Sequence, residues 1–129
     1  EVLRIVAAQD PGRAINPQQV IGQMQGGLVQ ALGWTLTENF LTRNGIIQTD
    51  RLSTYLIPTI ADVTAAVDYV MIERPDDFSA YGVRGVGEIS MILPAPAIAA
   101  AVHDATGIWF DRLPLTPEAV AMRLMGEGQ

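Results

Sequence analysis

Cysteine is missing from the 129 residues, and so is lysine; all eight basic residues are arginine. Without cysteine there can be no disulfide, no thiolate metal ligand and no cysteine nucleophile, and the chain suits a reducing compartment. A single histidine, His103, stands with no HExxH or similar pairing, which leaves no material for a histidine-based metal site. Fourteen acidic residues against eight basic ones give a formal net charge of −6. An acidic chain with no basic patch lacks the phosphate-neutralising charge on which nucleic-acid affinity depends. Long apolar runs are scarce too. Residues 89–102 come closest to a membrane-spanning length, but Pro94 and Pro96 interrupt them and His103 and Asp104 end them. There is no GxSxG elbow and no GxxxxGK[ST] loop. The start of the chain shows no initiator methionine and no apolar signal core. It opens on Glu1 and runs straight into a strand-like stretch, so the expectation is a processed piece or an excised fragment of something longer.

What is present is apolar material and glycine. The hydrophobic share of 49% supplies a core for one domain of this length. Val2, Leu3, Ile5, Val6 and Ala7 read as a strand, and residues 9–13 as a turn. Asn16 is a good N-cap and Pro17 a good first helical residue. Val20, Met24, Leu28 and Leu32 then recur at helical spacing, which predicts a helix over 17–32 with Gly33 as its C-cap. Residues 34–42 alternate like a strand, and Asn44-Gly45 is a strong hairpin turn into a return strand at 46–49. A further strand is expected over 66–73 and a solvated turn at Asp76-Asp77. Pro94-Ala95-Pro96 restarts a helix whose alanine-rich body runs over 97–105 and ends at Gly107. Thr116-Pro117-Glu118 opens a last short helix, with a loose tail at 126–129. No repeat, low-complexity segment or linker breaks this order. The expected fold is α+β: one compact domain, residues 1–129, with a mixed sheet and two to three main helices.

Two glycine-rich elements stand out. Gly22, Gly26 and Gly27 lie inside the first predicted helix, where each costs roughly 1 kcal/mol relative to alanine, so close packing or ligand approach must explain them. Gln23, Gln25 and Gln30 place neutral amides among them. The second element is Tyr81-Gly82-Val83-Arg84-Gly85-Val86-Gly87-Glu88, a flexible backbone closed by one carboxylate. Such a run can bring amides to an anionic group beside a proton acceptor. It can equally turn the chain into a helix, with Glu88 as a helix-start carboxylate. Its spacing does not fit GxGxxG. His103, near the C-terminal end of an alanine helix, reads as structural, and Trp34, Trp109 and Phe110 as core or interface.

Four motifs in order carry a resemblance. They are Asp10-Pro11-Gly12-Arg13-Ala14-Ile15-Asn16-Pro17, Gly22-Gln23-Met24-Gln25-Gly26-Gly27, Ser53-Thr54-Tyr55-Leu56-Ile57-Pro58-Thr59, and Gly85-Val86-Gly87-Glu88. With weaker matches at residues 104–107 and 113–118, the chain from about residue 10 to residue 120 resembles the C-terminal part of the molybdenum-binding subunit of the xanthine dehydrogenase/aldehyde oxidase family. The resemblance implies that family's C-terminal molybdopterin-binding domain, as a fragment of a longer subunit. It also implies that Glu88 is the general base, which takes a proton from a hydroxyl on molybdenum during hydroxylation of a purine, another N-heteroaromatic or an aldehyde. By the same resemblance, Arg84, Gly85, Val86 and Gly87 fall on the loop whose backbone meets the pterin, and Gln23 on the helix glutamine that contacts it.

The cofactor so implied is molybdenum–molybdopterin, the cytosine dinucleotide form included, with iron–sulfur clusters and FAD on other domains or subunits. No metal ligand is assigned to this chain, and the fragment by itself is expected to be inactive and to bind no cofactor. Implied partners are the rest of the molybdenum-binding subunit, the iron–sulfur and flavin parts and a small-molecule substrate, with a homo-oligomer compatible, no nucleic acid and no membrane; the implied setting is cytoplasmic. The chain departs from the family at Ile89-Ser90, where proline often follows the glutamate, and at Gln25, where glutamate is common. Two rival readings stay open at this point. One is a separate non-catalytic subunit or binding module that docks onto a partner. The other is an acidic domain unrelated to molybdenum, marked by an exposed Glu88 far from Gln23.

Overall fold

The computed structural model describes residues 2–63 and 66–126; Glu1 and residues 127–129 of the expected tail lie outside the described residues. The elements run β1 (Arg4–Gln9), α1 (Pro17–Leu36), β2 (Thr42–Arg43), β3 (Ile46–Ile47), β4 (Ala66–Met71), α2 (Pro94–Thr106) and α3 (Pro117–Leu124). Among the described residues the fold is α+β with three α-helices. Its strands form a parallel pair, β1 with β4, and an antiparallel pair, β2 with β3. Contacts group the chain into two compact units, Glu1–Val29 with Thr59–Ile92, and Gln30–Pro58 with Leu93–Gln129.

In the first unit β1 and β4 pair from Arg4 opposite Ala66 to Gln9 opposite Met71. The less exposed face carries Ile5, Ala7, Gln9, Val67, Tyr69 and Met71. The first strand starts and ends two residues later than the apolar run suggests. Pairing with β4 sets its limits, down to the bond from the Ile72 N–H to the Gln9 carbonyl at 2.8 Å. The opening of α1 follows its expected cap: the Asn16 side-chain oxygen accepts the Gln19 N–H at 3.1 Å. Val20, Met24 and Leu28 are buried on one stripe.

In the second unit α1 does not stop at Gly33. It continues to Leu36, so the strand expected over 34–42 shrinks to Thr42–Arg43. Burial decides this. Ala31, Leu32 and Thr35 are buried here, as are Ala95, Ile98 and Leu115, and one more helical turn is what brings Thr35 inside. The Thr35 hydroxyl donates to the Ala31 carbonyl, and the Thr35 carbonyl accepts the Leu115 N–H at 2.7 Å, so neither oxygen of this buried threonine is left without a partner. Gly33 serves close packing rather than capping: a Cβ there would lie 2.6 Å from the Pro58 ring.

The hairpin turn stands where Asn44-Gly45 predicts it, with both residues at positive φ (51° and 78°). α2 ends at Gly107, left-handed at φ 73°, and His103 stacks on Trp109 with ring centroids 4.0 Å apart. The Thr116 side chain caps α3 by accepting the Ala119 N–H. The stretch Ile89–Thr106 is long and apolar enough by composition to count as a membrane span. As folded, however, it is a short turn followed by the 13-residue α2. That helix is about 20 Å long, against a hydrocarbon layer of roughly 30 Å.

Candidate functional site

The site is built within the first unit, from the turn after β1, the early part of α1 and the glycine run. The turn and the run are laced together. Gly12 bridges Val83 in antiparallel fashion. The Arg13 N–H donates to the Gly82 carbonyl and the Arg84 N–H to the Pro11 carbonyl, both at 2.8 Å. Gly12 has to be glycine here. Its φ is +68°, and a Cβ would strike the Gly82 carbonyl and sit 3.1 Å from the Arg84 nitrogen.

Asp10 ties the lacing down. Its Oδ1 accepts the N–H groups of Gly12 at 2.9 Å and Arg74 at 3.3 Å, and its Oδ2 accepts the Arg84 guanidinium. Asp76, expected to be a solvated turn residue, instead reaches Arg84 Nε at 3.6 Å and is about one-third exposed. Its position follows from the bond between its own N–H and the Gly82 carbonyl at 3.1 Å. Partial burial pushes the Asp10 carboxyl up, but the Gly12 and Arg74 N–H groups with the Arg84 charge outweigh it. The group therefore lies below its ordinary value of 3.8.

A folded-state value below the unfolded one stabilises the fold fully above the ordinary range, and that stabilisation is lost as pH falls through the folded value. Acidification through that window is therefore expected to lower the amide protection factors of Arg13 and Arg84. Asp10→Asn should flatten the dependence, and protection factors insensitive to pH in the unaltered chain would contradict it.

Beyond Arg84 the backbone N–H groups go unpaired. Among the described residues none bonds the backbone N–H of Gly85, Val86, Gly87 or Glu88. A Cβ at Gly85 or Gly87 would meet nothing within 4 Å. Glu88 is exposed and opens the turn Ile89–Met91 with φ −128° and ψ 6°. It stands at the head of that turn, as the helix-start reading of this acid expects, but its side chain makes no capping bond.

The chain is fixed again at Ser90, whose hydroxyl donates to the Gln23 carbonyl at 3.1 Å. There it lies against Gly27, where a Cβ would collide with Ser90 Oγ and sit 3.2 Å from the Met91 nitrogen. This contact joins the glutamate loop to the glutamine helix two residues past Glu88. Exposure of Glu88 matches the mark set for an unrelated acidic domain, but separation from Gln23 does not.

On α1 the glycines divide in two. Gly27 is buried under Ser90, whereas Gly22 and Gly26 are exposed, and a Cβ on either would meet nothing within 4 Å. Four residues apart, they leave one strip of helix backbone bare, with the exposed Gln23 side chain beside it. Gln25 bonds the Tyr69 hydroxyl; burial raises the Tyr69 pKa and the Gln25 bond acts against it.

Residues 1–64 match the family described as "Molybdopterin cofactor-binding domain". The chain is 43% identical over 107 residues, 83% of its length, to a probable xanthine dehydrogenase subunit of Bacillus subtilis. It belongs to the xanthine dehydrogenase/aldehyde oxidase family of molybdenum hydroxylases. A second relative is the gamma subunit of the 6-hydroxypseudooxynicotine dehydrogenase complex of Paenarthrobacter nicotinovorans, 35% identical over 97% of the chain. Among solved structures, quinoline 2-oxidoreductase of Pseudomonas putida 86 superposes with a TM-score of 0.87 at 34% identity over 98% of the chain. The chain spans only 14% to 16% of the length of these three proteins.

Membership of the molybdenum hydroxylases sets the α+β architecture in its family and makes sense of two glycine-rich elements meeting in one unit. Sequence reasoning singled out Gln23 and residues 84–88 but missed what holds them: Asp10, Asp76, Ser90 and the buried Gly27. An unmatched arginine inside a glycine loop was the one local signal. Its carboxylate partners lie 74 and 8 residues away in sequence.

Proposed function

We propose that residues 1–129 form the C-terminal molybdopterin-binding domain of a longer molybdenum-binding subunit, in which Glu88 is the general base for hydroxylation of a purine, another N-heteroaromatic or an aldehyde. The observation that carries this is the Ser90–Gln23 bond over Gly27, which sets the glutamate loop on the glutamine helix. The residues present fit a molybdenum–pterin group. Bare backbone at Gly22 and Gly26 allows close approach, the Gln23 amide can donate and accept, and the free N–H groups of residues 85–87 suit anionic or carbonyl oxygens.

Bound there, the group would supply the oxygen-transfer and electron chemistry. The chain's own contributions are to hold that group by amides, to orient it against the helix and to accept a proton at the Glu88 carboxylate. A carboxylate that makes no capping bond can meet substrate without first breaking one. In the whole enzyme the electrons would leave to iron–sulfur and flavin parts, and the setting would be cytoplasmic. The names of the relatives support the substrate class, since they concern xanthine, quinoline and a hydroxylated nicotine derivative.

Gln23→Ala tests the contact. In the complete enzyme it should weaken molybdenum–pterin retention by about threefold to tenfold, the size of one net hydrogen bond. Metal and pterin analysis of the purified variant reads this directly, and unchanged occupancy would remove Gln23 from the site.

A further inference from the structure

We propose that Asp10, assisted by Asp76, is a positioning residue for the reaction: through Arg84 it fixes the near end of the segment that presents Glu88. The proposal rests on the reading of Glu88 as the base.

The geometry is that of a short span slung between two posts. At the near post three stretches of chain converge on the Asp10 carboxylate, the Gly12 turn, the Arg74 amide and the Arg84 guanidinium. Around it the Arg84 N–H is taken by Pro11, the Gly82 carbonyl by Arg13 and Asp76, and the Val83 carbonyl by the Ser79 hydroxyl. At the far post Ser90 sits on Gln23 and Gly27. Between the posts, no backbone N–H and no side chain of residues 85–88 makes a bond among the described residues; their carbonyls hold only the short turn, where Glu88 accepts the Met91 N–H at 3.2 Å. A span of this kind inherits its position from its ends, because glycine at 85 and 87 imposes none of its own.

The arrangement also assigns Arg84. With its amide bonded to Pro11 and its guanidinium between Asp10 and Asp76, it is a fastening inside the chain. The segment that can meet the cofactor then begins at Gly85. The competing assignment, Arg84 as a direct anion ligand of the cofactor, makes a different demand: loss of Arg84 should cost cofactor, and loss of Asp10 should not cost activity.

The test is a double-mutant cycle in the complete enzyme with Asp10→Asn, Arg84→Gln and the two combined. Each single change is expected to lower kcat about 10- to 100-fold, the cost of misplacing a catalytic group by roughly an ångström. Substrate KM and molybdenum–pterin content should stay at their original levels. The double variant should be no worse than the poorer single one, since both remove one fastening.

Unchanged kcat in Asp10→Asn, multiplicative losses in the double variant, or losses that track cofactor content would each overturn the proposal. If Asp10→Asn does not accumulate as folded enzyme, Asp76→Asn loosens the same arginine more gently, and unchanged kcat there would also count against it. Glu88→Gln, measured alongside, separates the two layers. Full turnover in that variant removes the base assignment, whereas lost turnover there with unaltered Asp10→Asn removes only the fastening.

Discussion

Glu88→Gln in the complete enzyme should lose turnover by at least 10²- to 10⁴-fold, the range attributed to a positioned general base, while molybdenum and pterin remain bound at the original stoichiometry. The substitution keeps the shape of the side chain and removes only its ability to take up a proton. Glu88 is exposed, makes no capping bond and has no ion pair among the described residues. Its loss as a charge therefore leaves no partner unsatisfied, and the stability of the fold should not move. That separation makes the experiment decisive. A structural acid would show itself in lowered yield or thermal stability with activity per bound molybdenum intact, and a base shows the reverse. Steady-state turnover normalised to molybdenum content is the measurement, and activity near the original level would reject the role.

Much of the fold was legible because its signals are local. Asn16 and Thr116 cap helices, Gly107 ends one in the left-handed region, and Asn44-Gly45 turns a hairpin. Each acts within about four residues of itself, which is the reach of capping and turn chemistry. Gly33 misled for the same reason. Its local preference is to end a helix, and the burial of Thr35 with Ala95, Ile98 and Leu115 overrode it. Such tertiary override lies outside what a window of sequence can show.

The candidate site divides in the same way. Glu88 and Gln23 could be marked because each belongs to a glycine-rich element with an evident conformational cost and a family likeness. The residues that hold those elements could not be. Asp10 meets Arg84 across 74 residues and Ser90 meets Gln23 across 67, so nothing in either neighbourhood anticipates the partner. Gly22, Gly26 and Gly27 look alike as letters and differ only in what faces them. That difference is the strongest physical argument the chain offers for a group approaching α1 from outside.

Alanine substitutions turn the difference into opposite expected results. At Gly27 an added methyl would collide with Ser90 Oγ and crowd Ser90 Cβ at 3.1 Å and the Met91 nitrogen at 3.2 Å. The nitrogen belongs to backbone and cannot swing aside. Gly27→Ala should therefore cost about 1 to 3 kcal/mol, as overpacking does, or else push the glutamate loop off the helix; denaturant unfolding and turnover of the complete enzyme would both register it. At Gly26 the same methyl meets nothing within 4 Å of this chain. Helix propensity alone then predicts a gain of about 1 kcal/mol. If the bare strip exists so that the pterin can lie against backbone, Gly26→Ala should combine that gain in stability with a clear fall in molybdenum–pterin occupancy. A stabilised Gly26→Ala enzyme with full cofactor would assign the strip to another segment of the parent subunit, and with it the reason those glycines are there.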